Sequence, residues 1–280
     1  MEKLKIIVCT HKADDRIRNY APYVPVHGGK ALHPDMDLGF IGDDTGDNIS
    51  EKNPLYSEWS VIYWAWKNCN DSEYIGFNHY RRYFKINITE DNIDNIMGKA
   101  DVIALKRTNK SRCFRIDDLS RMTSQEDAYL FIDSVLSIHP DSKEALLRYF
   151  YNSTEYFFYS MFIMRRELFD EYCNFIFPVL FDLEKRIKPH GYSRQQRALG
   201  YFGETSLGLF IYYKNIKVKG VEITGTDELT DSKAKIMFRN FRNLLNRVLE
   251  SPIPIPKEFV VPEFIKIGLK NDNIELRKIK

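Results

Sequence analysis

The sequence predicts an α/β protein: a single domain with a central, mostly parallel mixed sheet flanked by helices. Short apolar runs rich in β-branched residues, at 4–9 (LKIIVC), 74–78 (YIGFN) and 101–105 (DVIAL), indicate buried strands. Segments with helical periodicity lie between them, at 53–66 and 89–97. This alternation of strand and helix is typical of a mainly parallel sheet.

The first half of the chain contains one long loop and one well-marked helix. Residues 22–53 are rich in Gly, Pro and Asp, which predicts a loop with one short strand near 38–41. Asn53 is a candidate N-cap and Pro54 takes the first helical position. The apolar residues that follow have helical spacing, so this helix packs one face on the core, including Trp59 and Trp66.

The second half predicts further helices and strands. Thr123 and Glu126 have the spacing of a capping box that begins a helix through about 138. Helices are predicted at 140–151 and 196–213, and strands at 157–164 and 218–223. A helix over 166–187 contains Pro178, which is expected to kink or break it. Residues 1–231 are therefore predicted to form one domain, followed by an extension over 232–280.

Composition excludes several classes of protein. The 41 basic and 39 acidic residues give a formal charge of +2, which argues against a dedicated nucleic-acid binder. The four cysteines, Cys9, Cys69, Cys113 and Cys173, form no CxxC pair, which favours reduced thiols over disulfides or a zinc site. No apolar run is long enough to span a membrane. We therefore expect a cytoplasmic protein.

The extension has a different character from the domain. Residues 232–249 contain Lys233, Lys235, Arg239, Arg242 and Arg247, interleaved with apolar residues at helical spacing. Such a basic amphipathic helix either packs on the body of the protein or lies on an anionic membrane surface. The second interpretation predicts peripheral contact with the inner face of the cell membrane.

Polar clusters follow two of the predicted strands. Thr10, His11 and Lys12 follow the first, and residues 78–82 (NHYRR) follow the second. Ligands of open α/β sheets bind beyond the carboxyl ends of strands, so these groups predict an anion-binding crevice in which arginines suit phosphate. The alternative for Arg81 and Arg82 is a solvated patch or structural salt bridges. The glycine signatures of P-loop and dinucleotide-binding proteins are absent.

Five segments together resemble a bacterial family of capsular or exopolysaccharide biosynthesis glycosyltransferases, long carried as a domain of unknown function. These segments are VCTHK, NISEKNPLYSEWSVIYWAWKN, YIGFNHYRRYF, FYSMFIMRRELFDEYCNFIFPVL and RALGYFGETSLGLFI, and they extend over about residues 4–213. The resemblance implies a GT-A-like fold. It also implies transfer of a sugar, of galactose type, from a UDP-linked donor to a cell-surface polysaccharide or lipid-linked glycan.

The resemblance also implies how the donor is held. In ordinary GT-A enzymes a strand like YIGF ends in an Asp-x-Asp motif that binds a divalent metal. Here Asn78, His79, Tyr80, Arg81 and Arg82 stand in its place, so we expect cationic side chains to replace the metal, with no cofactor required. A loop metal site of Asp43, Asp44 and Asp47 is the alternative.

The remaining donor contacts are assigned to the ends of neighbouring segments. Thr10, His11 and Lys12 are placed at the nucleotide base and ribose. Asn48, Ser50 and Asn53 either line the same crevice or, for Ser50 and Asn53, only cap the helix.

Glu204 is the candidate general base for the acceptor hydroxyl, acting beside His79 and Arg82 as the catalytic groups. The alternative is that Glu204 is an acid near a helix N-terminus, where it favours the macrodipole. Glu126 and Asp127 are weaker candidates. Tyr159 and Met161 either border the acceptor or belong to the core.

Two other functions fit the same sequence. One is a non-catalytic nucleotide- or glycan-binding module of a polysaccharide assembly complex. The other is a phosphoryl-transfer enzyme, which is disfavoured because no paired-carboxylate magnesium site is evident.

Overall fold

The computed structural model describes residues 1–108, 115–153, 155–188, 195–224, 234, 237, 238, 241, 242, 245 and 255–280. Within these residues the chain forms nine strands: β1 (Glu2–Thr10), β2 (Tyr23–His27), β3 (Ile41–Gly42), β4 (Ser72–His79), β5 (Tyr83–Phe84), β6 (Val102–Thr108), β7 (Glu155–Arg165), β8 (Val218–Gly220) and β9 (Ile223–Thr224).

Seven of these strands form one mixed sheet in the order β3-β2-β1-β4-β7-β6-β8. Strand β7 is antiparallel to β4 and β6, while the other neighbours are parallel. The predicted mostly parallel mixed sheet is thereby confirmed. Because β7 runs the opposite way, its first residues lie at the same edge as the carboxyl ends of β1 and β4. Strands β5 and β9 form a separate antiparallel pair.

Helices cover the sheet. The described residues include α1 (Asn53–Tyr56), α2 (Trp59–Asn68), α3 (Ile93–Met97), α4 (Arg115–Met122), α5 (Gln125–Ile138), α6 (Lys143–Asn152), α7 (Arg166–Glu184), α8 (Ala198–Lys214) and α9 (Glu263–Asn271). A large apolar cluster joins one face of the sheet to α2, α5, α7 and α8. A smaller cluster covers the other face with α3 and the β5–β9 pair. The sheet is therefore buried on both faces, as its continuous apolar strands predict.

The helix predicted from Asn53 is interrupted. Ser57 adopts a left-handed conformation with φ of 54° and separates α1 from α2. Asn53 is the first residue of α1 rather than its N-cap, which is Lys52. Its side-chain amide donates instead to the Ser57 carbonyl and to Ser60 Oγ, each at 2.8 Å. The asparagine therefore fixes the interruption, and Glu58 follows directly after it.

One other local prediction, the N-cap at Thr123, is wrong, and the helix break that was one alternative at Pro178 does not occur. The N-cap of α5 is Ser124, whose hydroxyl accepts from the Asp127 N–H at 3.0 Å. The hydroxyl of Thr123 donates to the Leu119 carbonyl and ends α4. Helix α7 continues through Pro178. Pro178 is exposed, so the carbonyl that it cannot bond faces water, which reduces the cost of the proline.

Strand β2 lies inside the stretch expected to be a loop. It contains Pro25, and a proline inside a short run argues against a strand. Strand β3 pairs only with Val26 and His27, so most of β2 is an edge at which proline is tolerated.

The described end of the chain packs on the domain. Phe259, Val261, Ile265, Leu269 and Ile279 belong to the larger cluster. The fully buried Asp133 carboxylate accepts the backbone N–H groups of residues 277–279 and the Arg186 guanidinium. Burial alone would raise the pKa of Asp133, but these donors outweigh it and lower the pKa. Asp133 thus anchors this segment.

The helix predicted over 232–249 lies largely outside the described residues, as does Cys113. Six of its positions, 234, 237, 238, 241, 242 and 245, are described and are helical. The other three cysteines are free thiols in the interior. Across the described ranges, no helix combines the length and the apolar character needed to cross a bilayer.

Candidate active site

The carboxyl ends of β1 and β4 meet at one edge of the sheet. Cys9 pairs with His79 in register, and the Tyr80 N–H donates to the Cys9 carbonyl at 3.1 Å. The buried Thr10 hydroxyl donates to the Lys12 carbonyl at 2.7 Å, which turns the chain as it leaves β1. The two polar clusters that the sequence singles out therefore lie side by side.

The Tyr80 ring is surrounded by basic groups. His11 contacts it edge-on, with ring centroids 5.4 Å apart. The guanidinium of Arg81 lies 4.9 Å from the ring centroid, and Lys12 Nζ lies at 6.0 Å. Burial and the positive charges of Lys12 and Arg81 lower the pKa of His11. Aromatic contact thus holds two cations at the crevice without neutralising them.

Arg82 comes from the same turn and stacks on another ring. Its guanidinium lies 4.1 Å from the Tyr159 ring centroid, and its Nε is buried without a hydrogen-bond partner. In the described part of the chain, no carboxylate lies within ion-pair distance of Lys12, Arg81 or Arg82. These three cations thus lie at the crevice outside any ion pair with the described carboxylates, which suits the binding of an anion.

Strand β7 contributes an unusual turn to this edge. Tyr159 and Ser160 both adopt left-handed conformations, with φ of 65° and 50°. Such residues store strain and are concentrated at functional sites. The Tyr159 N–H donates to Glu204 Oε1 at 2.8 Å, and its carbonyl accepts from His79 Nε2 at 2.6 Å. The backbone of one residue, Tyr159, therefore connects the two candidate catalytic side chains.

His79 is held in a defined state by this contact. Because a carbonyl only accepts, Nε2 carries the proton and donates it. Burial lowers the pKa of His79, so the ring is neutral at pH 7. His79 therefore positions the β7 turn as a neutral donor, and the positive charge of the crevice comes from Lys12, Arg81 and Arg82.

Glu204 lies inside α8, in a setting that favours its protonated form. It is the seventh residue of the helix, so the macrodipole at the N-terminus does not explain it. Burial and the nearby charge of Glu58 raise the pKa of Glu204 to about 7. A carboxyl group with this pKa can both accept and release a proton near neutral pH, as a general base does.

Two charged residues of the site, Glu58 and Arg197, were not among the predicted ones. Glu58 Oε1 accepts from Ser160 Oγ at 3.2 Å, and its Oε2 lies 3.9 Å from the Arg197 guanidinium. Arg197 Nε donates to Ser57 Oγ at 2.7 Å. Both depend on the interruption at Ser57, which helical periodicity does not reveal. The sequence feature that could have indicated these residues is the spacing of glycines in α8, because glycines in a helix allow another element to approach closely.

Glycines make that approach close. A Cβ at Gly203 would lie 2.2 Å from the Trp59 ring, and one at Gly200 would lie 3.1 Å from Ser57. Trp59 Nε1 in turn donates to Ser160 Oγ at 3.2 Å. Because Glu204 follows Gly203 and Glu58 precedes Trp59, this contact places both carboxylates at one crevice.

The loop residues predicted to line the donor site make local contacts. Ser50 Oγ donates to the buried Asp43 carboxylate at 2.5 Å, and Ser60 Oγ does so at 2.6 Å. The Asn48 amide donates to the Asp44 and Gly46 carbonyls. Ser50 and Asn53 thus neither cap α1 nor stand free, but build the loop beside the crevice.

Three further predicted residues differ in position. Asp47 accepts from the Tyr63 hydroxyl at 3.1 Å. Within the described ranges, no group of three or more His, Cys, Asp or Glu side chains is arranged to hold a metal ion.

Met161 is fully buried in the smaller apolar cluster, because its side chain points to the opposite face of β7, and this does not fit contact with an acceptor. Tyr159 is partly exposed at the crevice.

Fold and site together define an α/β protein with a cationic crevice and a buried acid at the edge of a mixed sheet. Residues 5–215 match the family model described as "Domain of unknown function (DUF4422)", and the chain belongs to that family.

The chain is also similar to a solved structure, the bifunctional glycosyltransferase WbbM in its apo form. The TM-score is 0.73 and the identity 27%, over 81% of this chain and 46% of the WbbM chain. The present chain therefore spans less than half of that protein. No curated protein matches it. The similarity supports the predicted fold and a glycosyltransferase-like family.

Proposed function

We propose that this protein is a glycosyltransferase that moves a hexose from a nucleotide-linked donor to a glycan. The observation that carries the proposal is the crevice itself: among the described residues, Lys12, Arg81 and Arg82 have no carboxylate within ion-pair distance, and they lie at the same edge of the sheet as Glu204. The similarity to a solved glycosyltransferase supports the same class of reaction.

The donor in this proposal is a UDP-sugar of galactose type. As the bond between the anomeric carbon and the diphosphate breaks, negative charge develops on the leaving phosphate. Arg81 and Arg82 stabilise that charge through paired hydrogen bonds, with Lys12 as a further cation. This arrangement makes a divalent metal unnecessary for transfer, since arginines take over the role that a metal has in related reactions.

The acceptor hydroxyl is activated by Glu204. Its carboxylate takes the hydroxyl proton as the oxygen forms its bond to the anomeric carbon, and the electron pair of the broken bond leaves with UDP. The pKa of Glu204, raised to about 7, allows its ionised form to be present near neutral pH. The neutral His79 keeps the Tyr159 peptide, and with it Glu204, in place.

The acceptor is proposed to be a cell-surface polysaccharide, capsular or exopolysaccharide, or its lipid-linked precursor. We place the reaction in the cytoplasm, at the inner face of the cell membrane. Residues 232–249 support this location, because five basic residues accompany an apolar helix face in that segment.

Incubation with a panel of nucleotide sugars tests the proposal. Slow release of UDP from one donor, faster with an acceptor glycan, is the expected result in the presence of EDTA. Activity abolished by EDTA and restored by Mn²⁺ would contradict the role of the arginines. Binding of UDP without release of sugar from any donor would favour a non-catalytic binding module instead.

A further inference from the structure

Glu58 is a second carboxylate at the crevice, and the proposed reaction leaves it without a role. Its side chain is 11% exposed and accepts one hydrogen bond, from the hydroxyl of Ser160. Ser160 is the second residue of the left-handed turn in β7, and Trp59 donates to the same hydroxyl. Glu58 therefore stabilises a strained turn whose preceding residue, Tyr159, hydrogen-bonds Glu204.

Two local features of the fold, at Ser57 and Gly203, bring Glu58 and Glu204 to the same crevice. Ser57, with a positive φ, ends α1, so Glu58 takes the N-cap position of α2, and its side chain contacts Ser160 of β7 and Arg197 just before α8. Gly203 lets the Trp59 ring lie against α8, which brings the following residue, Glu204, to the same crevice. The negative charges of two carboxylates at one largely buried crevice repel one another, which favours the protonated form of one of them.

We propose that Glu58 is a positioning residue for Glu204: its carboxylate fixes the Tyr159–Ser160 turn that orients the Glu204 carboxylate, and it places a second negative charge at the same crevice. This inference rests on the proposed function for its meaning in catalysis, but the interaction itself exists in the free protein.

The groups that face Glu204 come from several elements. Glu58 contributes a negative charge from the start of α2, which raises the pKa of Glu204 after the larger effect of burial. The Tyr159 N–H from β7, Arg82 from the turn after β4 and Arg197 before α8 act in the opposite direction. The Tyr149 hydroxyl of α6 lies within electrostatic range and stays neutral, since burial raises the pKa of Tyr149. Among these groups, Glu58 is the acid that raises the pKa of Glu204.

The test is a direct titration of Glu204 in the substrate-free protein. Glutamate labelled with ¹³C at the side-chain carboxyl gives one NMR signal per residue, and Glu204→Gln identifies the signal of Glu204. In Glu58→Gln the amide can still accept from Ser160, but the charge is gone. We expect the titration midpoint to fall from near 7 by on the order of one pH unit.

Glu184→Gln is the matched control, because it removes the charge of another partly buried acid, one that pairs with Lys52 and Tyr56. Its Glu204 midpoint should equal that of the wild type. An equal midpoint in Glu58→Gln would overturn the proposal.

If Glu58→Gln does not fold, Arg197→Gln provides the second test. Arg197 is largely exposed, and its guanidinium lies 3.9 Å from Glu58 Oε2, so its loss should raise the midpoint by leaving the charge of Glu58 without this cation. A midpoint that does not rise would show that the charge of Glu58 does not act on Glu204 and would overturn the proposal. The titration needs no substrate, so a shifted midpoint without any sugar transfer would refute the proposed function and leave this inference standing.

Discussion

Glu204 and His79 both bond the backbone of Tyr159, and burial shifts the pKa of each toward its neutral form. The protonated Nε2 of His79 is committed to the Tyr159 carbonyl, whereas the carboxyl group of Glu204, with a pKa of about 7, can take up a proton in the proposed reaction. The environments of the two side chains therefore assign their roles: His79 positions, and Glu204 exchanges the proton.

The pH dependence of turnover follows from this assignment. Glu204 must be ionised to accept a proton, so the rate should rise with pH through about 7 and level off above it. Glu204→Gln should reduce turnover by about 10²–10⁴-fold while UDP affinity, measured by calorimetry, stays unchanged. A variant that retains its turnover would exclude Glu204 as the base.

The same raised pKa predicts a cost in stability. Because the folded protein favours protonated Glu204, its contribution to stability is complete below the unfolded pKa of about 4.3 and is lost as pH rises through 7. At pH 8, the free energy of unfolding of Glu204→Gln, measured by urea denaturation, should therefore exceed that of the wild type by roughly 1–3 kcal/mol. At pH 4 the two proteins should differ little.

Arg82 is the cation most closely tied to the base, since it stacks on Tyr159. Arg82→Ala should lower turnover by about 10²–10³-fold and weaken UDP binding, because a donor to the leaving phosphate is lost. Arg121→Ala, at an exposed arginine of α4, is the control and should behave as the wild type. Equal kinetics for both variants would show that Arg82 is not part of the site.

Between elements, the contact of α8 with α2 determines the geometry of the site. The Trp59 ring occupies the space where a side chain at position 203 would be, and it also donates to Ser160. Packing in the core is thus coupled to the conformation of the β7 turn.

Gly203→Ala tests that coupling. The added methyl group would overlap the buried ring, so we expect a loss of about 1–3 kcal/mol in the free energy of unfolding, together with reduced turnover. Gly268→Ala is the matched control in a helix, because its nearest neighbour is a side-chain oxygen at 3.3 Å. It should leave turnover unchanged and stability equal or slightly higher. Full activity in Gly203→Ala would contradict the coupling.

The elements also show what the sequence can and cannot predict. Residues 4–9 and 74–78 are short apolar runs, so their strands and the polar clusters that follow them were predictable, whereas the pairing of His79 with the end of β1 is seen only in the structure. The interruption at Ser57 was not predictable, because it depends on side-chain bonds from Asn53 and on α8, which lies some 140 residues along the chain. The sequence therefore does not identify Glu58 and Arg197 as residues of the site.

For the molecule as a whole, charge is unevenly distributed along the chain. Residues 232–249 hold five basic residues and no acidic one, which leaves 36 basic and 39 acidic residues elsewhere, a formal charge of −3. The described apolar side chains of this segment, Met237, Phe238, Phe241 and Leu245, are 42–72% exposed. Exposed apolar groups on a basic segment fit an anionic lipid surface.

We therefore expect the protein to sediment with vesicles that contain anionic lipid and to remain in solution with neutral ones. Replacing Phe238 and Phe241 together by Ser should weaken sedimentation about tenfold or more, since the buried apolar area supplies part of the affinity. A double replacement of the exposed Met36 and Ile41 is the control and should sediment normally. Equal sedimentation of both double variants would contradict membrane contact through this segment.

The central claim is that the cations following β4 hold the leaving diphosphate. A crystal structure with UDP bound in the presence of EDTA tests it most directly. The account predicts the guanidinium groups of Arg81 and Arg82 within hydrogen-bonding distance of the phosphate oxygens. A diphosphate bound elsewhere, or bound only with a divalent cation on the loop carboxylates Asp43, Asp44 and Asp47, would contradict it.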